Sequence, residues 1–241
     1  MDKALLEIIQ NFESLGSDFA IGDRNKIKII PFNGVLLNVK SFKVPNLLNG
    51  IIYKFFRLSK AKRSYEFAKI LDQKGIGTPK PIAFYENKNW FKLKDSYYVC
   101  HHIETDYVFR DVFTISIEHT EYYAILHQFA RFCFSLHENG IEFLDHSPGN
   151  TLIKKMATDQ FNFYLVDLNR MKFHKKMDFE TRMKNMCRIT PRQDQIEVIS
   201  EEYAKWYGKS KEEVFEKMWY YTSRFQEKSK KRQMIKQKLK L

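Results

Sequence analysis

Apolar positions along the chain recur with two periods, and the changes of period divide it into elements. Ala4, Leu5, Ile8, Ile9 and Phe12 fall at helical spacing, so Met1 to Phe12 is predicted as a short helix. From Asp18 to Lys43 the pattern turns strand-like: KIKII is expected to break at Pro31, Asn33-Gly34 is the sequence of a two-residue hairpin turn, and VLLNVKSF follows. Leu48, Ile51, Ile52, Phe55 and Leu58 return to helical intervals, and a further helix is expected from Ser59 to Lys74, ended by Gly75 to Pro79. KPIAFYE, NWFKL and SYYVCHHIE read as three strands. Glu121 to Asn139 is the clearest helix, with Tyr122, Leu126, Phe129, Cys133 and Leu136 in one stripe and Asn139-Gly140 at its end. Thr151 to Lys155 and Phe161 to Val166 form a short hairpin, Phe179 to Arg188 a helix, and Ser210 to Glu213 a capping box before VFEKMWYYTSRF.

The chemistry concentrates between Leu136 and Asp167. Asp145 is followed by His146-Ser147-Pro148-Gly149 and Asn150, and Asp167 closes the second strand of the hairpin. Phosphoryl transfer needs a carboxylate that orients the attacking hydroxyl and accepts its proton, beside an amide and a second carboxylate that hold magnesium. Those three side chains suit it. Asp-His-Ser-Pro-Gly-Asn is also a good turn sequence by itself. The flanks weigh against a bare turn, because a helix, the loop, a hairpin and the second aspartate follow one another in order.

This stretch resembles the catalytic and metal-binding segments of the protein-kinase-like superfamily, and most closely the lipopolysaccharide core kinases that phosphorylate Kdo or heptose. The resemblance rests on Leu136-His137-x-x-Gly140-Ile141, on Asp145 and Asn150, on the Asp167-Leu168-Asn169-Arg170 form, and on the GIGTPKPIA wording from Gly75 to Ala83. It implies an α+β, two-lobed fold: a small antiparallel-sheet N-lobe over residues 1–103, a mainly helical C-lobe over 104–227, and a basic tail over 228–241. It implies transfer of phosphate from ATP, with Mg2+, to a sugar hydroxyl of a lipid-linked saccharide. Asp145 would be the catalytic carboxylate, and Asn150 and Asp167 the metal ligands. Lys40, with Lys43 as the alternative, would hold the nucleotide phosphates in partnership with Glu66, the only glutamate of its helix. Backbone near Cys100 to Glu104, including His102, would meet the adenine, and His137 would be structural.

The departures from the family pattern carry information too. No G-x-G-x-x-G is present, and only Gly22, in GDRN, stands where the phosphate-covering turn belongs, with Arg24 beside it as either a charge substitute or a solvated arginine. His-Arg-Asp is replaced by Phe143-Leu144-Asp145, and no Ala-Pro-Glu follows, which argues against a regulated protein kinase. Arg170 either holds a substrate phosphate or braces its loop. A pseudokinase that binds a partner without turnover remains the second reading.

Composition limits these readings without replacing them. With 241 residues, 44% of them hydrophobic, the chain can bury a sizeable core. No apolar run is long enough to span a bilayer and MDKALLEIIQ lacks a signal-peptide layout, so a cytoplasmic protein is expected, with peripheral attachment to the inner face of the membrane as an option. Cys100, Cys133 and Cys187 are too far apart for a metal motif and read as reduced thiols. The formal charge of +12 calls for an anionic partner surface. The tail from Lys228 to Leu241 has seven basic residues and no acidic one, and either holds an anionic leaflet or is solvated. The basic segment from Pro45 to Arg63 poses the same choice between a membrane surface and packing. Nucleic acid is a weaker option, since the basic residues are spread and no binding module is recognisable.

Overall fold

The computed structural model describes residues 3–22 and 25–238, and the chain divides into two units, Met1–Glu104 with Asp167–Arg170, and Thr105–Val166 with Met171–Leu241. In the first unit the elements are α1 (Lys3–Gln10), β1 (Ser17–Gly22), β2 (Asn25–Phe32), β3 (Val35–Phe42), α2 (Leu47–Phe55), α3 (Lys60–Gln73), β4 (Pro81–Lys88) and β5 (Leu93–His101). The strands form one antiparallel sheet in the order β1-β2-β3-β5-β4. Leu37, Val39, Ile30 and Val99 point to the face covered by Leu5, Ile8, Ile9 and Phe12 of the N-terminal helix and the turn after it. Strand periodicity then puts Asn38, Lys40 and Phe42 on the opposite face. Lys28 interrupts the apolar face without cost, because its buried ammonium donates to the carbonyls of Glu13 (2.7 Å) and Leu15 (3.0 Å).

Two expectations for this unit need correction. β2 does not break at Pro31 but runs through it to Phe32. Phe32 pairs with Val35 to close the Asn33-Gly34 turn, whose residues both have positive φ, so the nitrogen of Pro31 faces away from β3. On that side β1 has already ended, its last pair being Ser17 with Ile29. NWFKL is not a strand of its own: the Asn89 side chain accepts from the backbone N–H of Phe91 (3.2 Å) and Lys92 (2.8 Å), which makes the β4–β5 turn, and one strand runs from Leu93 to His101.

The second unit contains β6 (Tyr107–Val108), a 3-10 turn at Phe109–Phe113, α4 (Thr120–Glu138), β7 (Ile141–Phe143), β8 (Thr151–Ala157), β9 (Gln160–Leu165), β10 (Met171–Phe173), α5 (Phe179–Asn185), α6 (Gln193–Tyr207) and α7 (Lys211–Lys238). α4 is its centre: Tyr122, Leu126, Phe129, Cys133 and Leu136 are all buried, the first four in a core shared with Ile196, Ile199 and Tyr203 of α6 and with Val214 and Met218 of α7. β8 and β9 pair as a hairpin, and β7 pairs with β10. Residues 228–238 are not a separate tail, since they continue α7. Nothing from Lys211 to Lys238 is glycine or proline, and Lys, Arg, Gln and Met are good helix formers. The α+β class, with an antiparallel N-terminal sheet and a helical C-terminal part, is as the sequence implied.

Candidate active site

Lys40 sits in the middle of the five-stranded sheet, opposite Ile27 of β2 and Tyr98 of β5. Its side chain is largely buried, and its ammonium donates to Oδ1 of Asp167 at 2.7 Å. The same oxygen accepts from Nδ2 of Asn169 at 2.7 Å, while Oδ2 carries no hydrogen bond among the described residues. Asp167 has φ of 58°, in the left-handed region that aspartate tolerates better than most residues but rarely adopts. This kink ends the run of strand and presents the carboxylate to Lys40.

Glu66 does not pair with Lys40; among the described residues the lysine has Asp167 as its one ion-pair partner. The reason lies in the phase of α3. Its packed stripe is Ala61, Ser64, Ala68 and Leu71, and Glu66 stands two residues past Ser64, about 200° around a helix of 3.6 residues per turn. Lys43, the alternative lysine, lies exposed beyond the end of β3. His102 donates its backbone N–H to Leu36 at 2.8 Å, and its ring meets Phe19 edge-on with centroids 5.5 Å apart. Gly22 ends β1 opposite Asn25, while Arg24 lies outside the described residues. Arg170 contributes positive charge to the surroundings of Arg63, whose pKa is lowered first by burial and then by Arg57, with a smaller effect from Arg170.

In the second unit, the loop from Leu144 to Asn150 is held by its own backbone and by α5. Gly140 ends α4 with φ of 71°, and its carbonyl accepts from His174 N–H at 2.8 Å, which starts the β7–β10 pairing. The Asp145 carbonyl accepts from Ser147 N–H (2.7 Å) and from the Asn150 side-chain amide (2.8 Å), so Asn150 is oriented by the residue five positions before it. The Asn150 carbonyl in turn accepts from Val166 N–H at 3.0 Å, beside the residue from which Asp167 follows. His146 is buried against the rings of Phe129 and Phe143, and burial pushes its pKa down to about 4. His137 is buried too, with Nδ1 2.9 Å from the Tyr203 hydroxyl and Nε2 3.2 Å from Asn185 Oδ1; burial lowers its pKa to about 3.

Sequence reasoning missed one residue. Arg188 donates to Asp145 Oδ1 at 2.6 Å and to the Leu144 carbonyl at 3.3 Å. It supplies a guanidinium to the loop where Leu144 stands in place of the usual arginine. No local signal marks it, because it lies 43 residues downstream of Asp145.

No group of three or more His, Cys, Asp or Glu able to hold a metal exists among the described residues. Magnesium does not need one: it is held by one or two carboxylates, water and substrate phosphates, all of them hard oxygen ligands. The open Oδ2 of Asp167, in the first unit, and the amide oxygen of Asn150, in the second, are each a ligand of that kind.

Residues 47–220 match the family described as Lipopolysaccharide kinase (Kdo/WaaP). Among solved structures, one described as "WaaP in complex with acyl carrier protein" is similar with a TM-score of 0.62 and 16% identity, over 92% of this chain and 91% of that one, a likeness of fold. No curated protein sequence matches. With the family match covering well over half of its length, the chain belongs to the Kdo/WaaP family of lipopolysaccharide kinases.

Proposed function

We propose that the protein transfers the γ-phosphoryl group of ATP to a sugar hydroxyl of a lipid-linked saccharide, with Kdo or heptose of the lipopolysaccharide inner core as the acceptor. The observation that carries this reading is the 2.7 Å bond from Lys40 to Asp167, since it joins the two residues, 127 positions apart, that phosphoryl transfer of this type uses on the nucleotide side.

In this reading the Asp145 carboxylate orients the acceptor hydroxyl and takes its proton as the hydroxyl oxygen bonds to the γ-phosphorus. The bond from that phosphorus to the bridging oxygen breaks, and the electron pair leaves with ADP. Lys40 places a fixed positive charge on the nucleotide phosphates. Asn150 and Asp167 would hold Mg2+, which when bound neutralises the charge of the phosphates. Arg170 holds a phosphate already present on the saccharide, a bidentate role suited to a planar guanidinium. Arg188 keeps Asp145 in place.

The test is transfer of labelled phosphate from ATP, with magnesium, into a bacterial glycolipid fraction, comparing the intact protein with Asp145→Ala and Asp167→Ala. Label in the lipid-linked sugar that disappears in both variants supports the proposal. Nucleotide binding without transfer to any acceptor would instead make the protein a pseudokinase, the reading motivated by the missing glycine-rich loop.

A further inference from the structure

Large aromatic side chains seldom stand free in water on a soluble protein, and when several share a surface with basic residues they mark a contact. In the first unit, Phe55 ends α2, Phe56 and Leu58 occupy the turn before α3, and Trp90 sits at the tip of the β4–β5 turn; Phe56 is 83% and Trp90 85% exposed. These are neighbouring pieces of surface. The Lys54 ammonium donates to the carbonyl of Asn89 at 2.8 Å and to that of Trp90, and so ties the end of α2 to the tip of the hairpin. Phe55 meets Phe56 edge-on with centroids 6.4 Å apart, and Trp90 lies 4.9 Å from Phe91. The aromatics are therefore presented from an anchored base.

The charge around them is mainly basic, and the two acidic residues of the hairpin are engaged, Glu86 with Lys88 and Asp95 with the Tyr97 hydroxyl. From Lys43 to Tyr65 the chain has six basic residues and no acidic one. Arg57 and Lys94 are exposed on the two elements, and Lys92 lies over the Phe91 ring. Arg57 stands near enough to Arg63 to lower its pKa, second to burial.

We propose that this surface, formed by the end of α2, the Phe56 to Leu58 turn and the tip of the β4–β5 hairpin, seats the protein on an anionic lipid bilayer. Exposed Trp and Phe insert at the level of the headgroups and acyl boundary while the surrounding Lys and Arg meet lipid phosphates, the combination by which peripheral proteins bind membranes. The basic end of α7 is a poorer candidate for the primary contact. Its exposed apolar residues, Met234 and Ile235, are adjacent on the helix and include no aromatic anchor.

The test uses the full chain without nucleotide, so that its outcome is independent of phosphoryl transfer. Cosedimentation is measured with vesicles of phosphatidylcholine mixed with phosphatidylglycerol, and with phosphatidylcholine alone. The intact protein is expected to bind the mixed vesicles and not the neutral ones. The double variant Phe56→Ser/Trp90→Ser should weaken that binding by about tenfold or more at unchanged melting temperature, since both side chains lie outside the core. Lys230→Glu/Lys231→Glu should retain it. Quenching of tryptophan fluorescence by brominated lipid, present in the intact protein and lost in Trp90→Phe, checks insertion without relying on the double variant. Absence of binding to mixed vesicles, full binding by the double variant, or binding lost only in the α7 variant would each overturn the proposal.

Discussion

Arg188 holds Asp145 by carboxylate and backbone at once, with Nη1 2.6 Å from Oδ1 and 3.3 Å from the Leu144 carbonyl. Its guanidinium carbon lies 5.4 Å from the centroid of Phe225, so α7 supports the arm that supports the loop. A carboxylate that orients a hydroxyl loses rate when it gains rotational freedom. Arg188→Ala is predicted to lower kcat by about tenfold to a hundredfold with the KM for ATP little changed. Arg188→Lys keeps the charge without the planar fork and should recover only part of the loss. Steady-state kinetics on the three proteins decide it: a KM for ATP that rose as kcat fell would place Arg188 on the nucleotide instead.

The bond between Lys40 and Asp167 predicts unequal effects of two substitutions that a conventional lysine–glutamate pair would make equal. Lys40→Ala removes the buried cation and should lower kcat/KM for ATP by about a hundredfold or more. Glu66→Gln alters a side chain off the packed stripe of α3 and without an ion pair to Lys40, and is predicted to change the same constant by less than about threefold. Equal losses in both variants would show that Lys40 exchanges Asp167 for Glu66 during the reaction.

What was legible in the sequence was local. The stripe of α4 and the Asn33-Gly34 turn are each written within a few residues and take the predicted form, and the short Asp145 to Asn150 spacing puts both residues on one loop. The sequence places Lys40 on the third strand, where it stands, but its ion-pair partner is not legible, because the phase of α3 depends on which stripe packs on the sheet, and Ala61 and Ser64 are too small to announce one. Arg188 and the positive φ of Asp167 were invisible for the same reason: they are products of tertiary contacts. At Pro31 the missing N–H predicts a strand break, whereas on that side the neighbouring strand has already ended, so no bond is lost.

Gly140 and Gly208 offer a comparison of strain with strain plus collision. Both have positive φ, 71° and 76°. A Cβ on Gly140 would lie 2.1 Å from the His174 carbonyl oxygen, whereas one on Gly208 meets nothing within 4 Å. Gly208→Ala should therefore cost about 1–2 kcal/mol, the conformational penalty alone. Gly140→Ala should cost more, about 3 kcal/mol or above, since backbone must move and the β7–β10 pairing that leads into the Asp145 loop goes with it. Urea denaturation of both variants measures the difference, and equal costs would mean that the β10 backbone yields freely.

The two buried histidines predict loss of stability in mild acid. An unfolded histidine titrates near pH 6.5, whereas burial lowers His137 to about 3 and His146 to about 4. Their contribution is therefore complete above about pH 6.5 and is lost as pH falls toward the folded values, because the unfolded chain then binds protons that the folded chain refuses, at up to about 1.4 kcal/mol per pH unit for each histidine. His146 is the better probe. Neither of its ring nitrogens has a hydrogen-bond partner among the described residues, so His146→Phe abandons none and should be neutral or stabilising by about 1 kcal/mol near pH 7. His137→Phe would take the ring partner from the Asn185 side-chain oxygen and one partner from the Tyr203 hydroxyl, and should destabilise by about 1–3 kcal/mol. Urea midpoints followed from about pH 7 down to about pH 5 should fall less steeply in His146→Phe than in the intact protein. An unchanged slope would mean that His146 takes up its proton within the folded structure, and that the space between Phe129 and Phe143 admits water or a counter-charge.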